Sequence, residues 1–375
     1  MAKLNKKQKI IIGITVPLAV VVIVLVSVLA SFAYFPYRKG EVEKATSIAL
    51  PSDGVVRVLH LTDLHLIPTD TKKQDKQTLK WVEQAIEFAD PDIVAVTGDA
   101  VGSLAPFRMR DKSLIALAEI FEEKQVYWML TFGNHDGEWS YASGGEVGAD
   151  NRDEGKQELA DLLKGYKYSL LQTGDTDGVG NYVIDVVNEE EKTVYAFVNM
   201  DSHDKAFDEN GNKLGYSGLT ANQVVWYEEQ MNALKERAGG EVVKSALFMH
   251  VPLYEYNDAW LNYEHTGGFA PVYTEGTVYC ADENIGFFDK MLELGSTDFV
   301  GVGHDHDFNF AIEYKGVYLT YDRVSGVNAW RRRTPVGASV IDINVNAESL
   351  QSRYKFTVLE PTFDYEEWEG WAYGW

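Results

Sequence analysis

The sequence predicts an α/β protein built on a parallel sheet. From Val55 onward, short apolar runs of strand length alternate with segments whose apolar residues recur at helical spacing, in the order βαβαβ. Each run closes in a cluster of Asp, His, Asn and Gly, at the strand end where open α/β sheets place their ligands. A chain of 375 residues that is 45% apolar and 24% charged suits a folded body of one large domain or two small ones.

The elements follow in order. Val55 to Leu61 is a strand-like run leading into Asp63-Leu64-His65. A helix with Leu79, Val82, Ile86 and Ala89 on one face stops at Asp90-Pro91. Ile93 to Thr97 is a short buried-strand pattern closed by Gly98-Asp99. Ser113 is a candidate cap for a second helix carrying Leu114, Leu117, Ala118 and Phe121. Val126 to Phe132 is the third strand, followed by Gly133-Asn134-His135-Asp136. Past a glycine-rich acidic loop from Trp139 to Gly155, a helix is expected near Lys156 to Leu163. Val179 to Val187 and Thr193 to Met200 read as paired strands, and Asp208 to Gly215 as an Asn-Gly turn rather than a calcium loop. Gln223 to Arg237 is helical, and Ser245 to Met249 is a strand ending at His250. Asp298 to Val302 leads into Gly303-His304-Asp305-His306, and two more strands are expected at Gly316 to Tyr321 and Ala338 to Ile343.

The ends differ in character. Residues 1–9 carry Lys3, Lys6, Lys7 and Lys9; residues 10–35 are apolar and without charge, longer than a hydrocarbon core of about 30 Å requires. We read residues 10–35 as an uncleaved transmembrane signal anchor with residues 1–9 in the cytoplasm, because the lysines precede it. Residues 36–54 are a polar linker, 55–350 the main folded domain, and 351–375 an aromatic and acidic C-terminal tail. This topology puts the protein in the cell membrane as a single-pass chain, with its domain on the extracytoplasmic side.

The formal net charge is −23, and the first forty residues hold six basic groups and no acid. The rest is therefore more acidic still, which argues against a nucleic-acid surface, since phosphate backbones are held by Lys and Arg. A single cysteine, Cys280, rules out an intramolecular disulfide and a cysteine-rich zinc site.

Five clusters carry the chemistry: Asp63-x-His65, Gly98-Asp99, Gly133-Asn134-His135-Asp136, His250, and Gly303-His304-x-His306. Carboxylate, amide and imidazole donors without sulfur suit Mn²⁺, Fe or Zn²⁺ better than Mg²⁺ or Ca²⁺. Two such ions about 3.5–4 Å apart repel, so a carboxylate between them is needed.

In these five blocks the chain resembles the calcineurin-like metallophosphoesterases, from about Val55 to Ile343, with every block in family order. Asn222-Gln-Val-Val-Trp226 and His250-Val-Pro-Leu-Tyr254 further resemble the branch that contains purple acid phosphatases. The resemblance implies a four-layer α/β/β/α sandwich and two divalent metal ions. The first ion would be held by Asp63, His65, Asp99 and His306, the second by Asp99, Asn134, His250 and His304. It also implies hydrolysis of phosphate esters by a hydroxide attacking phosphorus between the ions, with His135 as general acid and Asp136 orienting it.

Two positions depart from the purple enzymes. His65 stands where they carry glycine, and Gly102 where they carry the tyrosine whose phenolate gives the colour. His203, Arg108 and Arg323 are candidate substrate contacts. Two alternatives stand beside a phosphatase: a phosphodiesterase or nuclease using the same site, and a non-catalytic binding protein that keeps the fold.

Overall fold

The computed structural model describes residues 42–67, 72–102, 110–140, 152–208, 212–263, 277–330 and 334–365, with Gly40, Ser143, 145–147 and Asn210 besides. The strands, in chain order, are β1 (Ser47–Ala49), β2 (Val55–Leu61), β3 (Ile93–Thr97), β4 (Tyr127–Thr131), β5 (Trp139–Ser140), β6 (Gly145–Glu146), β7 (Tyr182–Val187) and β8 (Thr193–Asn199). They continue with β9 (Lys205–Phe207), β10 (Lys213–Tyr216), β11 (Ser245–Phe248), β12 (Thr297–Val302), β13 (Phe310–Tyr314), β14 (Val317–Tyr321), β15 (Ala338–Asn344) and β16 (Tyr354–Leu359).

Two sheets carry the body formed by residues 41–375. One has the order β16-β15-β2-β3-β4, with β2, β3 and β4 parallel. The other has the order β1-β7-β8-β11-β12-β14-β13, and β8, β11, β12 and β14 are parallel within it.

Period-two alternation divides the side chains of the second sheet between its faces. Tyr195, Phe197, Phe248 and Phe299 join the core shared with the first sheet and with the helices Lys72–Ala89 and Arg110–Lys124. Ala196, Val198, Leu247, Val300 and Val302 face a second core completed by Tyr227 and Met231 of the helix Ala221–Arg237 and by Phe287, Phe288 and Met291 of the helix Phe287–Leu294. The layers are therefore helix, sheet, sheet, helix, as expected. Thr220 starts Ala221–Arg237 with a capping box: its side chain accepts from Gln223 N, and the Gln223 side chain answers the Thr220 N–H.

Several boundaries differ from the sequence reading. The second helix begins at Arg110, so Ser113 lies inside it, and the helix expected from Lys156 begins at Arg152. Strand β1 lies within the stretch read as linker and pairs in parallel with β7, Ser47 opposite Asp185. Strand β16 lies within the stretch read as tail and pairs antiparallel with β15. Lys355 and Thr357 alternate with Tyr354 and Phe356, so the segment has the period-two pattern of a half-buried strand. Tyr354 and Phe356 stack on Phe299, with ring centroids 5.2 and 6.3 Å away. The asparagine turn after β9 is an ordinary one, with Asp208 Oδ1 accepting from Asn210 N and Asn212 N.

Among the described residues no helix is long and apolar enough to cross a membrane; the proposed anchor, residues 10–35, lies outside them.

Candidate metal centre

The five clusters come from the C-terminal ends of β2, β3 and β4 in one sheet and of β11 and β12 in the other, and they meet at one place. The chain must turn sharply at each strand end. Asp63, His65, Asp99 and His304 all adopt positive φ, at 51°, 43°, 47° and 88°. For residues with a Cβ this costs energy and persists only where the surroundings enforce it. Enforcement here is by backbone hydrogen bonds: Asp63 N to Gly98 O at 3.1 Å, His65 N to Asp99 O at 2.9 Å, and Gly303 N to His250 O at 3.3 Å. Gly133 allows a close approach, since a Cβ there would lie 2.1 Å from Asp99 Oδ1.

The donor atoms converge on two overlapping groups, Asp63 with His65 and His306, and Asp63 with Asp99 and His250, each set lying within 4.8 Å. His306 Nε2 is 3.3 Å from Asp63 Oδ1, and His65 Nε2 is 3.7 Å from both Asp63 Oδ1 and Asp99 Oδ2. His250 Nε2 lies 3.3 Å from Asp99 Oδ2 and 3.2 Å from Asn134 Oδ1. The His304 ring stands edge-on to that of His250, centroids 5.1 Å apart, and its backbone N–H donates to Asp63 Oδ2 at 2.9 Å. Asp63 is common to the two groups, and Asp99 Oδ2 also reaches both, at 3.7 Å from His65 and 3.3 Å from His250, while Asp99 Oδ1 accepts from His135 N at 2.8 Å.

The residues fit a pair of cations on three independent grounds. Asp63 Oδ1 is buried and has no hydrogen-bond partner, which a carboxylate oxygen tolerates poorly. His250 Nδ1 donates to Thr97 O at 2.7 Å, and His306 Nδ1 donates to Trp330 O. This leaves both Nε2 atoms as lone pairs aimed inward, the arrangement that metal-binding imidazoles use. His65 Nε2 and His306 Nε2 are only 3.1 Å apart, so two ring nitrogens share one direction, as ligands of one ion do.

Charge agrees with this. Burial opposes ionisation of Asp63 and Asp99, yet the surrounding imidazoles, His306 for Asp63 and His250 for Asp99, hold both well below the usual carboxylate range. These carboxylates call for positive charge in their midst.

Around the ligands lie groups that sequence reasoning missed. His135 Nδ1 donates to Glu138 Oε1 at 2.9 Å, and its Nε2 is 4.0 Å from Asp99 Oδ2. Against burial, Asp99 and Glu138 raise the imidazole above its ordinary value. Asp136 does not orient it, contrary to expectation. Its carboxyl, pushed up to about 7 by burial and the Asp99 charge, accepts from Val101 N at 3.0 Å and Gly133 N at 2.8 Å. Asp305, inside the His-x-His turn, accepts from Tyr279 N and the Tyr321 hydroxyl, both at 2.8 Å. The ring of Tyr216 in β10 meets that of His304 edge-on at 4.4 Å. No spacing rule pointed to Glu138 or Tyr216. The turn after Asn134 and the β9–β10 hairpin bring them in.

The candidate substrate contacts fare differently. Arg323 is buried, its guanidinium engaged by Asn309 and Glu360, and so offers no phosphate fork. His203 lies apart from the ligand cluster, its Nε2 against Gln223 Oε1 at 2.9 Å, and lines a neighbouring cavity. Arg108 lies outside the described residues. At Gly102 a Cβ would come within 2.7 Å of Ile67 Cγ1, so a side chain there would have to displace Ile67.

A family model described as calcineurin-like phosphoesterase matches residues 56–308. A curated relative from Arabidopsis thaliana, probable inactive purple acid phosphatase 29, is 24% identical over 328 residues, 78% of this chain and 78% of the relative. Phosphatase DCR2 of Saccharomyces cerevisiae is 26% identical over 282 residues, covering 68% of this chain and 44% of that one. Among solved structures, a dimetal phosphatase from Danio rerio superposes with a TM-score of 0.45 at 11% identity, covering 81% of this chain and 98% of its own. Purple acid phosphatase PPD1 from yellow lupin also gives 0.45, at 13% identity, over 78% of this chain and 51% of its own.

Proposed function

The chain belongs to the calcineurin-like phosphoesterase family, and from that premise we propose that it is a metal-dependent hydrolase of phosphate esters. The observation that carries the reading is the convergence of His65, His306, Asp99 and His250 on Asp63, whose Oδ1 is buried without a hydrogen-bond partner. When bound, two divalent ions supply a Lewis-acid site that activates water and neutralises phosphoryl oxygens. Asp63, His65, Asp99 and His306 would hold one, and Asp99, Asn134, His250 and His304 the other. Mn, Fe or Zn suits these donors.

The chain's own residues do the rest. The carbonyls of Thr97 and Trp330 fix the tautomers of His250 and His306, so that their Nε2 atoms stay free of protons. His135 keeps its proton because Glu138 holds Nδ1–H and Asp99 lies nearby. Its Nε2–H is then available to the departing alkoxide.

A second reading has support of its own: three of the curated relatives are named probable inactive purple acid phosphatases. Against it stand the intact ligands and the yeast relative named a phosphatase. The test is hydrolysis of an activated aryl phosphate by the full-length chain before and after chelation, with divalent ion added back. Activity that is abolished and then restored supports the reading; activity that survives thorough metal removal ends it. A chain that binds two ions and hydrolyses neither mono- nor diesters is the non-catalytic alternative.

We also propose that residues 10–35 anchor the chain, with the catalytic body on the extracytoplasmic side. The lysines before the apolar run support this.

A further inference from the structure

The hairpin of β9 and β10 stands outside the two main sheets, and its open end is fastened to the metal centre. The stretch Tyr279 to Asp282 makes the fastening. Tyr279 N donates to Asp305 Oδ2, inside the His-x-His turn, at 2.8 Å. Three residues on, Asp282 Oδ2 accepts from Tyr216 N at 2.8 Å, and Asp282 N donates to Tyr216 O at 3.1 Å. Gly215 makes room for this pairing: its φ is 144°, and a Cβ there would fall on the Asp282 carboxylate. On the other side, Ser217 N and Ser217 Oγ both donate to Asp204 O, at 3.0 and 2.8 Å. The backbone of Tyr216 is therefore held directly and through its next neighbour.

This holds the Tyr216 ring beside a metal ligand. The ring meets that of His304 edge-on, centroids 4.4 Å apart, and Lys213 Nζ lies 4.7 Å from its centroid. Tyr216 is half-buried, and its hydroxyl reaches solvent without a hydrogen-bond partner among the described residues. Lys205, paired with Tyr216 across the hairpin, is near enough for its charge to be felt at the His135 imidazole. The same hairpin end thus borders both a metal ligand and the proposed proton donor.

A phenol is un-ionised at neutral pH and can donate a hydrogen bond. An ester held at this centre must lay its phosphoryl oxygens against the ligands, His304 among them, whatever alcohol it carries. A donor seated beside His304 meets the part that all phosphate esters share, and that part is anionic, which strengthens the bond.

We infer that the Tyr216 hydroxyl donates to a non-bridging phosphoryl oxygen of the substrate, and that Asp282 positions it. The inference rests on the phosphoesterase reading and deepens it.

Tyr216→Phe keeps the ring and removes only the donor. In the metal-loaded full-length chain this variant should retain two metals and bind inorganic phosphate about tenfold more weakly, read by calorimetry. Its kcat/KM should fall by about 10–100-fold, and to the same extent for an aryl and an alkyl phosphate. Asp282→Ala should reproduce part of both losses. Asp282→Asn, which still offers an oxygen to Tyr216 N, should restore them. Thermal melting checks that each variant is folded. Unchanged phosphate affinity in Tyr216→Phe overturns the inference. So does loss of metal, which would make Tyr216 a ligand, and so does a loss of rate confined to alkyl esters, which marks a proton donor. If the wild type hydrolyses no ester, the phosphoesterase reading fails, and the phosphate affinities still decide the role of Tyr216.

Discussion

His135 Nδ1 lies 2.9 Å from Glu138 Oε1, three residues further along the same turn, while the carboxyl of Asp136 binds the backbone N–H groups of Val101 and Gly133. The two acids after His135 thus have separate tasks. Glu138 sets the imidazole and Asp136 sets the loop.

From this, His135→Ala should lower kcat by about 10²–10⁴-fold while the protein retains its two metals. Glu138→Gln should lower kcat by about tenfold with little change in KM, since it weakens proton donation and not binding. Both losses should be larger for alkyl than for aryl phosphates, because a good leaving group needs no proton. Equal losses for the two ester classes would assign the pair another task. Asp136→Asn should instead cost thermal stability, read by melting.

Asp99→Ala should lose metal, because Asp99 faces both ligand groups. Gly133→Ala should do the same without removing any ligand, since its new methyl would displace Asp99 Oδ1. Metal analysis of purified variants is the measurement; wild-type content in either would reverse the assignment of Asp99. An iron-loaded sample should also lack a strong phenolate-to-iron band, because Gly102 stands in place of the tyrosine. If the band appears, Tyr216 against His304 is the residue to mutate.

Lys156 and Asp201 form a fully buried ion pair at 2.7 Å, and Asp201 also accepts from Val179 N and His203 N. Lys156→Met should destabilise the fold by about 3–5 kcal/mol, because it strands a buried carboxylate. Denaturant unfolding checks this, and a loss below about 1 kcal/mol would contradict it. The pH dependence has two limbs. Against burial, Lys156 holds Asp201 below its ordinary value, so that contribution is present above about pH 4 and is lost as pH falls through the lowered value. Against burial, Asp201 raises Lys156, so its contribution is complete below about pH 10 and is lost as pH rises through the raised value. The wild-type contribution of the pair should therefore be flat between these limits, while the difference from Lys156→Met should start to shrink on the acid side as soon as the stranded Asp201, raised by burial in the variant, takes up a proton.

Protease added to intact cells should cut between residues 36 and 46, ahead of β1, and release activity into the medium. Activity that stays protected until lysis would place the body inside. The earlier linker limit of residue 54 is too generous for this purpose, because Ser47–Ala49 is paired with β7.

Much of the molecule was legible in the chain because its determinants are local. The strands β2, β3, β4, β11 and β12 are short apolar runs, and each is followed within three residues by an Asp, Asn or His. The metal-ligand candidates sit at those closures, so the donor types and their order along the chain could be read from Asp63 to His306 without coordinates. What only the tertiary structure decided is what those ends face. Whether Glu138 or Asp136 reaches His135 depends on the path of one turn, and spacings of one and three residues do not distinguish them. Arg323 reads like a phosphate fork until Asn309 and Glu360 are found holding it. Tyr354 and Phe356 look like part of a tail until a second sheet presents Phe299 to them. The ion pair of Arg152 and Asp204 joins residues 52 apart in sequence, and no local pattern encodes it. Sequence fixes which groups a strand end carries through backbone preferences that act over a few residues. Which partners those groups meet depends on how two sheets pack, and that is set by the sum of many distant contacts.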